Sequence, residues 1–215
     1  ISNAHYKYDC NYSVKFENES GFKIWGEFVF FTPVNYDIGK HSPSGFNKDI
    51  WKAYDAWKFA VSNNAAYSYR NYCDQYSINK PPSDLRIWVL KKSSGIGMGS
   101  ASMLKRTWGY VGFNTDSKVN DFFNNAIGLN LGLSIIASVT KFVQPDLTIS
   151  INNDNADTDD VFGLVFHECS HASHWTKVGN SYWVKYIHKY INYTKSQLLI
   201  IEPYVLCSIS LDFLR

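Results

Sequence analysis

The stretch VFGLVFHECSHASHW, residues 161–175, decides how this chain is read. Its apolar residues recur at helical spacing, and Thr158 or Asp159 can cap its start, so the pattern predicts a helix over 161–175. On a helix, residues i and i+4 project from one face, one turn apart. His167 and His171 have that spacing. Two imidazoles so placed can meet one Zn2+ at about 2.0–2.1 Å. Glu168 comes directly after the first of them. A carboxylate there can hold a metal-bound water and take its proton, the ion having already made that water more acidic. Three residues thus supply two metal ligands and a general base.

With 6 His and only five Glu in 215 residues, a shuffled chain contains this pattern in roughly one case in three hundred, treating positions as independent. The plainer reading is a helix whose histidines are satisfied by ordinary contacts. The surroundings favour the chemical one. Phe162 and Phe166 are placed to pack on a core while the imidazoles face a cleft. Cys169 falls on a position expected to face away from a metal, as a small buried apolar residue. His174 lies on the same face as His167, but seven residues of helix rise about 10 Å, too far for both to reach one ion. The expectation for His174 is a contact behind the ligands, a substrate contact, or a solvated cap on the helix end.

Working outward, residues 145–151 read as a strand and 152–160 as a polar loop feeding the motif helix. LRIWVLKK (85–92) is a strand. The Gly/Ser-rich segment 93–104 lacks the Gly-Lys-Ser/Thr ending of a phosphate loop, and it is not a GxGxxG opening a helix. Residues 108–113 read as a strand and 117–143 as a helix with Phe122, Ile127, Leu131, Ile135 and Val139 on its apolar face. A helix is also expected over 49–76, capped by Asn47 or Asp49, with Ile50, Tyr54, Trp57 and Val61 at helical spacing; paired prolines at 81–82 follow it. Residues 178–193 are aromatic and expected to be helical in part. Short aromatic strands over 5–36 make residues 1–40 a candidate β appendage.

Composition narrows the function classes. The hydrophobic share of 45% suits a folded domain, and the net charge of +2 comes with no basic run, so no nucleic-acid partner is expected. No run of 18 apolar residues occurs, so no integral membrane segment is expected. Cysteines 10, 73, 169 and 207 match neither a zinc ribbon nor a CxxC site; Cys10–Cys73 is a candidate disulfide. There is no Gly-x-Ser-x-Gly elbow.

HECSHASHW, residues 167–175, resembles the His-Glu-Leu-(Ala/Ser)-His-Ala-Ser-His-aromatic pattern of zincin-like zinc metallopeptidases of Bacteroidetes-type bacteria, with Cys169 in place of the usual Leu. GSASML (99–104) and KVGNSYW (177–183) are similar to flanking segments of that group, so the resemblance spans roughly residues 80–193. It implies an α+β fold: a small mixed sheet, flanking helices and the HExxH helix beneath a cleft, within a catalytic domain over 41–215. The strand at 145–151 or 108–113 is expected to form the cleft's edge, where such enzymes add an extended peptide. It also implies Zn2+ as cofactor, a peptide or protein substrate, and an extracytoplasmic location with lipid anchoring of a full precursor.

The group's third zinc ligand comes from a Glu in a Glu-Met-Trp or Glu-Ser-Trp-Ala motif, which these 215 residues lack. Three readings stay open: a domain incomplete at its C-terminus, substitution by Glu202, or loss of full metal coordination. Pro203 disfavours helical geometry at Glu202, and His188 is another candidate. The resulting expectation is a zinc metallopeptidase with His167 and His171 as ligands and Glu168 as general base. The alternative is a non-catalytic surface binding module that uses the aromatic β region and carries a degenerate metal site.

Overall fold

Ile87, Trp88 and Val89 form an apolar run with no polar alternation, the mark of a strand covered on both faces, and all three are buried. They lie in β4 (Arg86–Lys91), an inner strand of the main sheet. The computed structural model describes residues 7–26, 34–101, 103, 105–107 and 145–196, with side chains up to residue 185. The expected strand at 108–113, the expected helix at 117–143 and Glu202 lie outside the described residues.

Chain order among the described elements is β1 (Cys10–Lys15), β2 (Lys23–Trp25), β3 (Asn35–His41), α1 (Asp55–Gln75), β4, β5 (Gly97–Ser100), β6 (Leu147–Ile151) and α2 (Thr158–Ser196). The protein is α+β, with small sheets and helices packed on them. The main sheet is mixed, in the order β2-β4-β6-β5. β2, β4 and β6 run parallel, with Ile24 beside Ile87 and Ile87 beside Leu147. β5 runs antiparallel to β6 and closes one edge.

The sequence expectation of a strand at 145–151 is met by β6. It is an inner strand, however, and not the cleft's edge. Leu147, Ile149 and Ile151 are fully buried, which suits a strand paired on both sides. Among the described strands the edge beside β6 is β5, whose glycines lack the branched and aromatic residues that mark a strand; the other expected edge, 108–113, lies outside the described residues.

β1 and β3 form a separate two-stranded antiparallel ribbon. β2, which also falls within residues 1–40, joins the main sheet, and Phe16, Phe22, Ile24, Trp25 and Val34 belong to the principal core. Cys10, on the ribbon, is a free thiol that donates to the Tyr8 carbonyl at 3.3 Å. Cys73 is free and buried on α1. The Cys10–Cys73 disulfide is therefore not formed.

α1 begins at Asp55, later than the expected residue 49, and neither Asn47 nor Asp49 caps it. The Asn153 side-chain amide donates to the carbonyls of Lys52 (3.1 Å) and Tyr54 (3.3 Å). These bonds hold residues 52–54 in a turn. Trp57 lies on the buried face as expected, but Tyr54 is exposed; Ala56, Ala65, Ala66, Tyr69 and Cys73 complete the face. Small residues there let α1 approach β2, β4 and α2 closely.

The start of α2 is fixed by Asp157. Its carboxylate accepts the Asp160 N–H and the Asp160 carboxylate accepts the Asp157 N–H, both at 2.9 Å. This reciprocal cap replaces the expected one at Thr158 or Asp159. α2 then runs past residue 175 to Gly179, whose φ of 75° and ψ of 171° kink it before it continues to Ser196. That backbone region is essentially glycine-only. No helix of the described residues is long and apolar enough to cross a membrane.

Candidate metal centre

The β6–α2 connection positions the motif. Asn152 follows β6 and accepts the Asp154 N–H on its side chain and the Ala156 N–H on its carbonyl. The Asn155 side chain donates to the Gly95 carbonyl at 3.2 Å. The loop is thus pinned to the turn before β5 and, through Asn153, to the start of α1. α2 leaves it along β5 and β6.

On α2, Val161, Val165, Cys169 and Ala172 form the fully buried stripe. Phe162 and Phe166 pack against the core at its margin, with Phe166 edge-on to Tyr69 of α1 at 5.3 Å between ring centres. Tyr69 in turn donates to Ser173 Oγ at 3.1 Å, joining the two helices. Cys169 is buried, as its helix position implied, and burial pushes its thiol well above the ordinary range.

His167 and His171 turn toward each other. Their Nε2 atoms are 3.2 Å apart and their rings are nearly perpendicular, 85° between planes. Two nitrogens on one tetrahedral zinc at about 2.0–2.1 Å are separated by roughly 3.3–3.4 Å, so the observed spacing fits a shared ion. Burial pushes the His171 imidazole down to about 3, with His167 and His174 adding to the effect, and burial also lowers His167. Both rings are therefore held neutral, the form that binds a metal.

Glu168 is buried, 5% exposed, and desolvation pushes its carboxyl up to about 8. It lies against β5: a Cβ placed on Gly99 would stand 2.5 Å from Glu168 Cγ and Oε1 and 2.7 Å from Cδ. This neighbour was not found from sequence. The only signal was the glycine itself, and the partner is far along the chain.

His174 is buried and packs edge-on to Trp183 at 5.5 Å. It is not the solvated helix cap considered from sequence, because α2 continues beyond it to Gly179. Trp183, 2% exposed, also faces His171 at 6.2 Å. The kink at Gly179 thus brings the second half of α2 back beside the motif. Among the described residues no group of three or more His, Cys, Asp or Glu is arranged to hold a metal. The described part of the site offers two imidazoles and a carboxylate, and Glu202 and the side chain of His188 lie outside it.

Comparison of the chain with protein-family models, curated proteins and solved structures finds no significant match.

Proposed function

We propose that this protein is a zincin-like zinc metallopeptidase. The observation that carries the reading is the approach of the His167 and His171 Nε2 atoms to 3.2 Å on one helical turn, with the Glu168 carboxyl between them in sequence and buried against an edge strand. Support also comes from the mixed sheet, in which β5 is the one antiparallel edge strand among the described strands and lies beside the motif helix.

His167 and His171 would hold the ion through Nε2. When bound, zinc supplies Lewis acidity that lowers the pKa of water and polarises a carbonyl. Glu168 accepts a proton on its carboxylate from the attacking water and returns it to the leaving amine. β5 has β6 on one side only among the described strands, so its other side can receive an extended peptide by main-chain hydrogen bonds. Such a strand recognises backbone and accepts a range of sequences.

The test is elemental analysis of the purified chain, followed by a peptide-substrate screen. The expected result is about one zinc per chain, lost in His167→Ala. Glu168→Gln should keep the zinc and abolish hydrolysis. A chain that stays zinc-free after reconstitution would sink the reading and favour a binding module with a degenerate site.

A further inference from the structure

We propose that Gly99 is the positioning residue for Glu168, its missing side chain being what allows the carboxyl to stand against β5. The inference rests on the peptidase reading only for its catalytic consequence; the packing claim stands independently.

The backbone does not explain the glycine. Gly99 pairs in regular register with Ile149, and it is not among the residues with positive φ. A side chain is conformationally allowed there, and in open space an alanine would stabilise the chain by reducing the freedom of its unfolded state. Space is what forbids it. The three closest atoms to an added Cβ are Cγ, Oε1 and Cδ of Glu168, at 2.5–2.7 Å. Cγ is near the root of the side chain, so the conflict is not confined to a mobile tip. Glu168 is buried, which leaves it little room to retreat without moving its carboxyl.

Gly97 shows that the arrangement extends along the strand. An added Cβ there would meet Leu164 Cδ2 at 3.0 Å and the Ser150 carbonyl at 3.1 Å. Residues two apart on a strand share a face and are about 6.6–6.8 Å apart, while residues four apart on a helix are about 6 Å apart along its axis. Gly97 and Gly99 therefore receive Leu164 and Glu168 as successive contacts of a helix lying along the strand. The two glycines differ in what they admit: Gly97 seats an apolar side chain, and Gly99 seats the carboxyl.

A double-substitution comparison separates the claim from ordinary packing. Thermal unfolding is measured for the wild type, Gly99→Ala, Glu168→Ala and the double variant, with Gly97→Ala alone and combined with Glu168→Ala as control. Glu168→Ala removes all three atoms that the new Cβ would meet. The melting temperature is expected to fall by several degrees in Gly99→Ala, and that loss should vanish or reverse in the Glu168→Ala background. The loss caused by Gly97→Ala should be the same in both backgrounds. Equal losses from Gly99→Ala with and without the Glu168 side chain would overturn the proposal. If Glu168→Ala does not fold, Glu168→Asp, one methylene shorter, serves as the background and should give partial relief.

The catalytic consequence has its own readout. Gly99→Ala should keep the wild-type zinc content and KM, while kcat falls about 100-fold, the scale expected when a reacting group is displaced by about 1 Å. Coupling in stability with an unchanged kcat would overturn the positioning role. A wild type that hydrolyses no peptide would overturn the peptidase reading, and the stability comparison would still decide whether Gly99 seats Glu168.

Discussion

Arg106 shows how much one side chain can hold. Its Nη2 donates to Asp84 Oδ1 at 2.5 Å and to Asp146 Oδ2 at 3.2 Å, its Nε lies 3.1 Å from Asp146 Oδ1, and its guanidinium stands over the Trp175 ring at 5.3 Å. Asp146 is fully buried just before β6 and also accepts the Arg86 N–H at 3.1 Å. Burial pushes its carboxyl up, against the pull of Arg106. Removing the cation leaves that carboxylate buried without its charge partner, which costs about 3–5 kcal/mol when no relief is available. Arg106→Ala should therefore destabilise strongly in urea unfolding, and adding Asp146→Asn should recover part of the loss. A loss no greater than that of an ordinary surface substitution would show that Asp146 is held by other means. At this scale the sequence was legible wherever partners are close along the chain: His167, Glu168 and His171 stand out because their spacing matches a helical turn. Gly99 and Arg106 act on residues far away in sequence, and nothing in their own neighbourhoods announces it.

The secondary elements repeat the lesson with their ends. The existence of α1, β6 and α2 follows from apolar periodicity and that of β4 from an unbroken apolar run, both properties of the whole element. Their starts depend on single hydrogen bonds. Asp157, Thr158, Asp159 and Asp160 all have cap-forming side chains, and only the Asp157–Asp160 pair closes the reciprocal cap. Asp157→Ala should cost about 0.5–2 kcal/mol, or about 2–4 °C in melting temperature for each kcal/mol in a domain of this size. Differential scanning calorimetry checks this, with Asp159→Ala as the comparison expected to change little. Equal losses at the two positions would place the cap elsewhere. β5 was missed as a strand because Gly97 and Gly99 carry no β preference; they are there for the helix beneath, which a one-dimensional pattern does not contain.

Across the molecule, the end of the sheet near Asp84 is an ionic cluster. Lys105 and Arg106 both reach the Asp84 carboxylate at 2.5 Å. Partial burial pushes that carboxyl up, but the hydrogen bonds and charges of Lys105 and Arg106 outweigh it and hold it well below the usual range. A group whose folded pKa is depressed stabilises fully above its unfolded value, about 3.9 for Asp, and loses that contribution as pH falls through the folded value. The Asp84 side chain is 60% exposed, so solvent screening keeps the contribution to about 1 kcal/mol or less. Melting temperatures of the wild type and Asp84→Asn should thus differ at neutral pH and converge as pH falls below about 4. A gap that has already closed above about pH 4, or one that does not narrow at all below it, would contradict a depressed Asp84. The α+β class of the molecule was readable in advance from its mixture of strand and helix patterns. Strand order was not, because parallel neighbours are joined by long connections that leave no local trace.

That strand order also bears on how the chain finds its structure. Ile24 must meet Ile87, and Ile87 must meet Leu147, each pair about sixty residues apart. Closing such loops costs entropy before any strand contact repays it, so a sheet of this kind sets the pace of refolding. The two imidazoles come together through one helical turn, whereas the burial of Glu168 depends on the long-range assembly of β5 and β6.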